Sequence, residues 1–404
     1  MNSKTRAEAV FFVSSFFNSL VFFAPVAILV RTRCGITLSQ FFILQALLSF
    51  GIFLFEVPCG IVTDKIGYRS SIIISQVLLC ITRILFLVGG SFLLFIIEAV
   101  IEALSISFIS GTTEAYLYDM YEQEEYMPKS AVVDNYSTAG FIASTLLFVP
   151  LNKWYGITGL IAATLAALCI SLAVLLFLPK AVYSTSAQDN RTAPESQEGA
   201  VQPPLTSLLK SLFTKDVLFF FFITSFISIA SLMVNFFYIL LVTAHALSEN
   251  WMSLIILGYA ALQMLGPLII TKLQPLPRGS LFAAEIFLVA VLFLGLGFLP
   301  GYAVFIPMLL LPLVLSLLGY LLSDINNHLI DTLGQQKNRA GFLSVLNQGA
   351  NLCEIFFLFF ASAVGTQTVS SIFVITALGF FFLSLIAIWF RNANFFQIIG
   401  CEQA

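Results

Sequence analysis

Residues Phe55–Ser70 read FEVPCGIVTDKIGYRS, and within this run a chain of nearly continuous hydrocarbon acquires Asp64, Lys65 and Arg69 around Gly60 and Gly67. Charges this dense need water, so the stretch marks the end of one apolar segment and the start of another. The rest of the chain decides which kind of boundary it is. Of 404 residues, 59% are apolar, 10% are charged and 43 are Phe, with a mean hydropathy of +0.99. A soluble domain covers its surface with roughly 25% charged residues. The composition therefore implies a polytopic membrane protein.

A helix needs about 20 apolar residues to cross a bilayer. Runs of that length fall at 9–30, 36–58, 71–90, 92–116, 131–151, 157–178, 217–243, 250–271, 279–299, 301–325, 340–363 and 368–390. They are numbered here as segments 1–12, and the fold expected is all-α with twelve transmembrane helices. The alternating segments of about 10 residues that mark a β-barrel are missing. Segment 1 follows Lys4 and Arg6 as a signal peptide would, but it is long and no small-x-small cleavage site precedes Arg31.

With both termini on the cytoplasmic side, fourteen of the 18 basic residues lie in loops of that side, and only Arg31, Arg33 and Lys153 face outward, with Arg83 inside segment 3. That asymmetry follows the positive-inside rule and predicts a multi-pass protein of the cytoplasmic (inner) membrane. The longest polar stretch, STSAQDNRTAPESQEGAVQPP at Ser184–Pro204, cannot bury enough apolar area to fold. It reads as a cytoplasmic linker over 181–215 between six-helix halves at 1–180 and 216–404. Equal halves suggest an internal repeat of the kind transporters use.

In this frame the opening stretch lies at the cytoplasmic end of segment 2 and in the loop to segment 3. Its pattern, Gly60-x-x-x-Asp64-Lys65-x-Gly67-x-Arg69, resembles the loop 2–3 signature of the major facilitator superfamily, except that Tyr68 stands where a basic residue is usual. FISGTTEAYLYD, Phe108–Asp119, is similar to the end of helix 4 in a bacterial subset of that superfamily. The resemblance implies two rocking halves and a loop that holds them together on the cytoplasmic face. Gly60, Asp64, Lys65, Gly67 and Arg69, with Glu114 and Asp119 as partners for the bases, would form this latch. Physical chemistry alone leaves an ordinary tight turn open: glycine supplies positive φ, and Asp64 placed just before segment 3 would favour the helix dipole and cap free N–H groups. The second half has only Gly266-Pro267 with Lys272 and Arg278, and no acid at the matching place.

Polar residues three or four apart share a helix face, and inside a bilayer such faces point to a cavity or a partner. Segment 4 carries Glu98, Glu102, Ser105 and Thr112. Segment 7 carries Thr224, Ser228, Ser231, Asn235 and Tyr238, and segment 11 carries Ser344, Asn347, Asn351 and Glu354. Shorter stripes are Ser14 and Asn18 in segment 1, Gln45, Ser49 and Glu56 in segment 2, Tyr259 and Gln263 in segment 8, and Ser316, Tyr320 and Ser323 in segment 10. Ser and Thr equally serve as glue between helices. The candidate solute-binding set is Asn18, Glu98, Glu102, Asn235, Tyr238, Gln263, Tyr320, Asn347, Asn351 and Glu354. Arg83 and Glu98 lie at similar distances from the Gly89-Gly90 turn, about 10 Å deep at 1.5 Å per residue, which predicts a structural Arg83–Glu98 ion pair. Glu102 is then left without a partner, and a desolvated carboxylate exchanges protons near neutral pH. Glu102 and next Glu354 are the candidates for proton coupling. Glu285, Asp324 and Asp331 read as latch or surface groups.

Several chemistries lack their residues. There is no G-x-x-x-x-G-K-[ST] loop, and the six cysteines form no C-x-x-C pair. His245 and His328 lack metal-ligand neighbours, neither begins H-x-x-x-x-D, and the basic charges form no nucleic-acid-binding patch. No cofactor, metal or enzymatic constellation is expected. An Arg early in helix 4 and a G-P-x-x-G-G-like run in helix 5, usual in drug/proton antiporters of the superfamily, are missing too. The expectation is a monomeric secondary transporter for a small amphipathic or cationic solute, with a proton as coupling ion and export as direction. A lipid translocase or an uptake symporter of the same fold are the alternatives.

Overall fold

The computed structural model describes residues 3–121, 123–180, 215–273, 275–333, 339–364 and 369–392, and these residues are helical with short connections. The chain divides into two compact units, Met1–Glu198 and Gly199–Ala404. The expected linker at Ser184–Pro204 lies outside the described residues.

The first unit contains α1 (Ser3–Asn18), α2 (Ala27–Thr32), α3 (Leu38–Ile66), α4 (Tyr68–Val88), α5 (Phe92–Ile109), α6 (Thr112–Met120) and α7 (Gln123–Leu175). Local sequence sets the boundaries. Thr37 and Gln40 form a reciprocal capping box at the start of α3, and Ser91 accepts from the Leu94 N–H at the start of α5. Gly156, at φ 61° and ψ −168°, turns α7 back between its 123–155 and 157–175 arms. Segment 1 is not one helix. It stops at Asn18 and restarts through a 3₁₀ turn, Ala24–Val26, with Pro25 at its start, because proline offers no N–H to continue a helix but suits its first turn. In this unit α1 packs on α7, α3 on α5, and α4 on both α5 and α7. Gly140 lets α1 and α7 approach closely: a Cβ there would run into the Phe16 carbonyl.

The second unit contains α8 (Lys215–Ala244), α9 (Trp251–Gln263), α10 (Gly266–Leu273), α11 (Arg278–Phe298), α12 (Phe305–Thr332), α13 (Arg339–Val364) and α14 (Val369–Asn392). Segment 8 is interrupted between α9 and α10, just before Pro267. Here α8 packs on α13, α9 on α12, and α11 on both α12 and α14. The phenylalanines fill these seams: Phe293 meets Phe373 and Phe380, and Phe219 stacks on Phe390 with centroids 4.6 Å apart.

Among the described residues, eight helices are long and apolar enough to cross a membrane, and they carry large exposed apolar side chains such as Val88, Phe298 and Phe382. A soluble monomer rarely exposes so much contiguous apolar surface. Of the twelve helices expected from hydropathy, segments 1, 4 and 8 are interrupted in the described residues.

Candidate functional site

In the first unit the acids of α5 are already paired. Arg31 Nη2 donates to Glu98 Oε2 at 2.8 Å, and Arg83 Nη2 donates to Glu102 Oε1 at 2.8 Å. The expected Arg83–Glu98 pair does not form, and Glu102 is not partnerless. Two facts explain the shift. The break in segment 1 carries Arg31, read as an outer-loop residue, into the interior, where it is buried and takes Glu98. The long Arg83 stem then reaches one helical turn deeper to Glu102. The guanidiniums sit among rings: Arg31 lies 4.8 Å from the Phe86 centroid, and Arg83 lies 5.1 Å from Phe86 and 5.3 Å from Phe23. Such cation–π contacts offset part of the cost of burying charge.

Along the C-terminal half of α1 lies a cavity of about 240 Å³ whose wall includes Ser14, Asn18, Gln76, Ser105, Thr113 and Ser171. Asn18 is exposed to it, as expected of a lining residue. Ser105 instead serves as glue: Ser75 and Ser105 exchange hydroxyl-to-carbonyl bonds of 2.8 Å across α4 and α5. Ser75, Gln76 and Ser171 were missed in the sequence, although Ser71 and Ser75 show the same four-residue spacing used elsewhere.

The latch residues occupy a different geometry from the one expected. Asp64 belongs to the last turn of α3 and does not cap α4; Gly67, at φ 86° and ψ 153°, is the single residue between the two helices, and no side chain caps the new one. Gly60 lies within α3, and Asp64 and Lys65 are exposed. Arg69 donates to the Leu176 carbonyl at 2.8 Å, while Tyr116 donates to Pro179 O at 3.1 Å. Arg69 thus ties down the C-terminal exit of α7, where cations and donors are favoured, and its recorded bond is not to Glu114 or Asp119. Glu114 lies exposed in the first turn of α6, and Asp119 near its end.

In the second unit three stripes converge. Ser231 and Asn235 of α8, Tyr259 and Gln263 of α9, and Ser316 of α12 line a cavity of about 320 Å³. Gln263 Nε2 donates to the Pro312 carbonyl at 3.2 Å, where the proline interrupts the α12 ladder. Beside it on α8, Ser228 donates to Glu354 Oε2 at 2.8 Å, the one bond recorded for this carboxylate among the described residues. Tyr238 is fully buried with its hydroxyl unpartnered among the described residues, Tyr320 lines a separate cavity of about 160 Å³, and Asn351 is exposed without lining either. The side chains of Ser344 and Asn347 lie outside the described residues.

Long apolar helices, buried ion pairs and polar cavities define a multi-pass helical membrane protein. The model for "Major Facilitator Superfamily" matches residues 9–332, and the chain belongs to that superfamily. No curated protein sequence matches it. Among solved structures, the peptide transporter POT in complex with alafosfalin is similar at a TM-score of 0.70 and 12% identity, with 100% of both chains covered. A POT family transporter in complex with a thioalcohol-conjugated peptide gives 0.71 and 12% over 96% of each chain. The nucleoside transporter NupG gives 0.71 and 15% over 96% of this chain and 99% of its own. At these identities the likeness shows the fold.

Proposed function

We propose that the protein is a secondary transporter that moves a small polar, hydrogen-bonding solute by alternating access, its six-helix halves at 1–180 and 216–404 rocking as pseudo-repeats about the 181–215 linker. The 320 Å³ cavity walled by Ser231, Asn235, Tyr259, Gln263 and Ser316 carries this reading. Five neutral donors and acceptors on membrane helices cost free energy unless a ligand or water uses them. The cationic solute expected from the sequence rested on acids without bases, and Arg31 and Arg83 now supply the bases for Glu98 and Glu102. The polar lining also speaks against a lipid as cargo.

Support for the repeat comes from the packing order: α1 on α7, α3 on α5 and α4 on α7 in one unit parallel α8 on α13, α9 on α12 and α11 on α14 in the other. Coupling is to a proton through Glu354, which faces a hydroxyl and no recorded cation among the described residues. Export is the direction we propose, from a monomer in the cytoplasmic membrane with both termini inside, and the Asp64–Arg69 stretch as the cytoplasmic latch.

Proteoliposomes loaded on either side with labelled nucleosides, sugars, dipeptides and primary amines test the reading. Transport of a neutral polar solute, lowered by both Asn235→Ala and Gln263→Ala, is expected. Transport confined to amines and indifferent to both substitutions would refute it.

A further inference from the structure

Glu285 sits about two turns into α11, is 6% exposed, and has neither carboxyl oxygen hydrogen-bonded among the described residues. Each packed neighbour can be placed by register. The Arg278–Asp324 pair and the contact of Gly295 with Pro307 align α11 antiparallel to α12 and set Glu285 level with the buried Leu317 and Leu318. The contacts of Gly297 with Val374 and of Phe287 with Phe381 set it level with Leu383 and Ser384 of α14. Ser384 spends its hydroxyl on its own Phe381 carbonyl at 2.7 Å.

The titratable groups on these partners all lie elsewhere along the helices. On α12 they are Tyr320, Asp324, His328 and Asp331, and on α14 only Arg391, bonded to Asn392 in the last turn, about two turns from Ser384 and level with Arg278. The α8 contact is through Phe220 against Phe282, with Lys215 and Asp216 at the start of that helix. Holding a charge on a carboxylate in such surroundings costs several kcal/mol of desolvation.

One turn from Glu285 toward the Arg278 end, the surroundings change. Leu281 forms part of the wall of the 160 Å³ cavity together with Arg278, Tyr320, Leu321 and Asp324. Arg278 Nε lies 3.2 Å from Asp324 Oδ2, and His328 Nε2 lies 3.9 Å from Asp324 Oδ1. Four residues of helix span about 6 Å, so a cavity roomy enough for water, with Arg278, Tyr320 and Asp324 set among apolar side chains in its wall, approaches the buried carboxyl from the helix end that carries the charges.

We propose that Glu285 is a proton-binding site filled through this cavity, separate from the 320 Å³ cavity and from Glu354. Hydronium in the cavity transfers its proton to a carboxylate oxygen and leaves water; the reverse step discharges the site. Its use in coupling rests on the transporter reading, but the proton site itself is tested without transport.

The test is infrared spectroscopy of the full chain in lipid bilayers while H2O perfusate is exchanged for D2O. The expected result is a protonated-carboxyl band that shifts on exchange, is lost in Glu285→Gln, and is displaced in Glu285→Asp should the Gln variant fold poorly. Filling the cavity with Leu281→Trp slows the shift about tenfold. No such band would show the group charged, and a band that never exchanges would show a sealed packing group; either overturns the proposal. An exchange rate untouched by Leu281→Trp overturns the cavity route. Loss of solute transport would leave these spectra unchanged, so the two readings fail separately.

Discussion

Arg83→Met removes the guanidinium 2.8 Å from Glu102 while keeping an apolar stem against Phe23 and Phe86. The side chains of the pair are only 10% and 14% exposed, so the range for a buried pair stripped of one partner applies, about 3–5 kcal/mol of destabilisation. Loss of the two ring contacts adds roughly 1 kcal/mol, part of which the Met sulfur and stem recover. The double substitution Arg83→Met with Glu102→Met leaves no orphan charge and returns to within about 1–2 kcal/mol of the parent. A double-mutant cycle on purified protein in detergent, read by tryptophan fluorescence during denaturant unfolding, then gives an Arg83–Glu102 coupling of at least about 4 kcal/mol, because each single substitution strands a buried charge and the double strands none. The matching Arg83–Glu98 cycle gives less, because Glu98 is held by Arg31. A larger coupling to Glu98 would refute the pairing and restore the simple estimate from helix depth.

Gly140→Ala forces a methyl into the Phe16 carbonyl and should cost several-fold in yield of monodisperse protein on size exclusion, whereas Gly60→Ala, with open space around it, leaves the yield unchanged. Arg69→Met frees the Leu176 carbonyl, and faster amide exchange confined to the end of α7 is expected. At the N-terminal end of α1, outside the apolar run, burial raises the Glu8 carboxyl but the bonds from Lys129 at 2.9 Å and Tyr121 at 2.9 Å outweigh it and hold it below its usual value. The sign follows: this contribution is complete above the ordinary carboxylate range and is lost as pH falls through the lowered value. Lys129 is 40% exposed, so the gain is at most about 1 kcal/mol, and Lys129→Met should flatten the acid limb of a melting-temperature profile.

The sequence made the membrane class legible because hydropathy averages over many residues, and the loop at Gly60–Arg69 made the superfamily legible because its spacing is local. Stripe arithmetic located Asn235, Gln263 and the Ser228–Glu354 neighbourhood, since a straight helix keeps its faces. It failed where helices break. Pro25 and the turn after Asn18 deliver Arg31 to Glu98, and no periodicity carries a residue across a break. Asp64 was misplaced by one turn because helix ends are decided by a single glycine, Gly67, whose φ of 86° is invisible to hydropathy. Glu285 was read as a latch or surface group because distance from a helix end says nothing about what packs around it.

Asn235→Cys, in a chain whose native cysteines are replaced, gives the most direct test of the cavity as a solute path. A membrane-impermeant thiol reagent should modify it from each side of oriented vesicles, and modification should stop transport. Modification from neither side, or from one side alone under every condition, would contradict alternating access at this site.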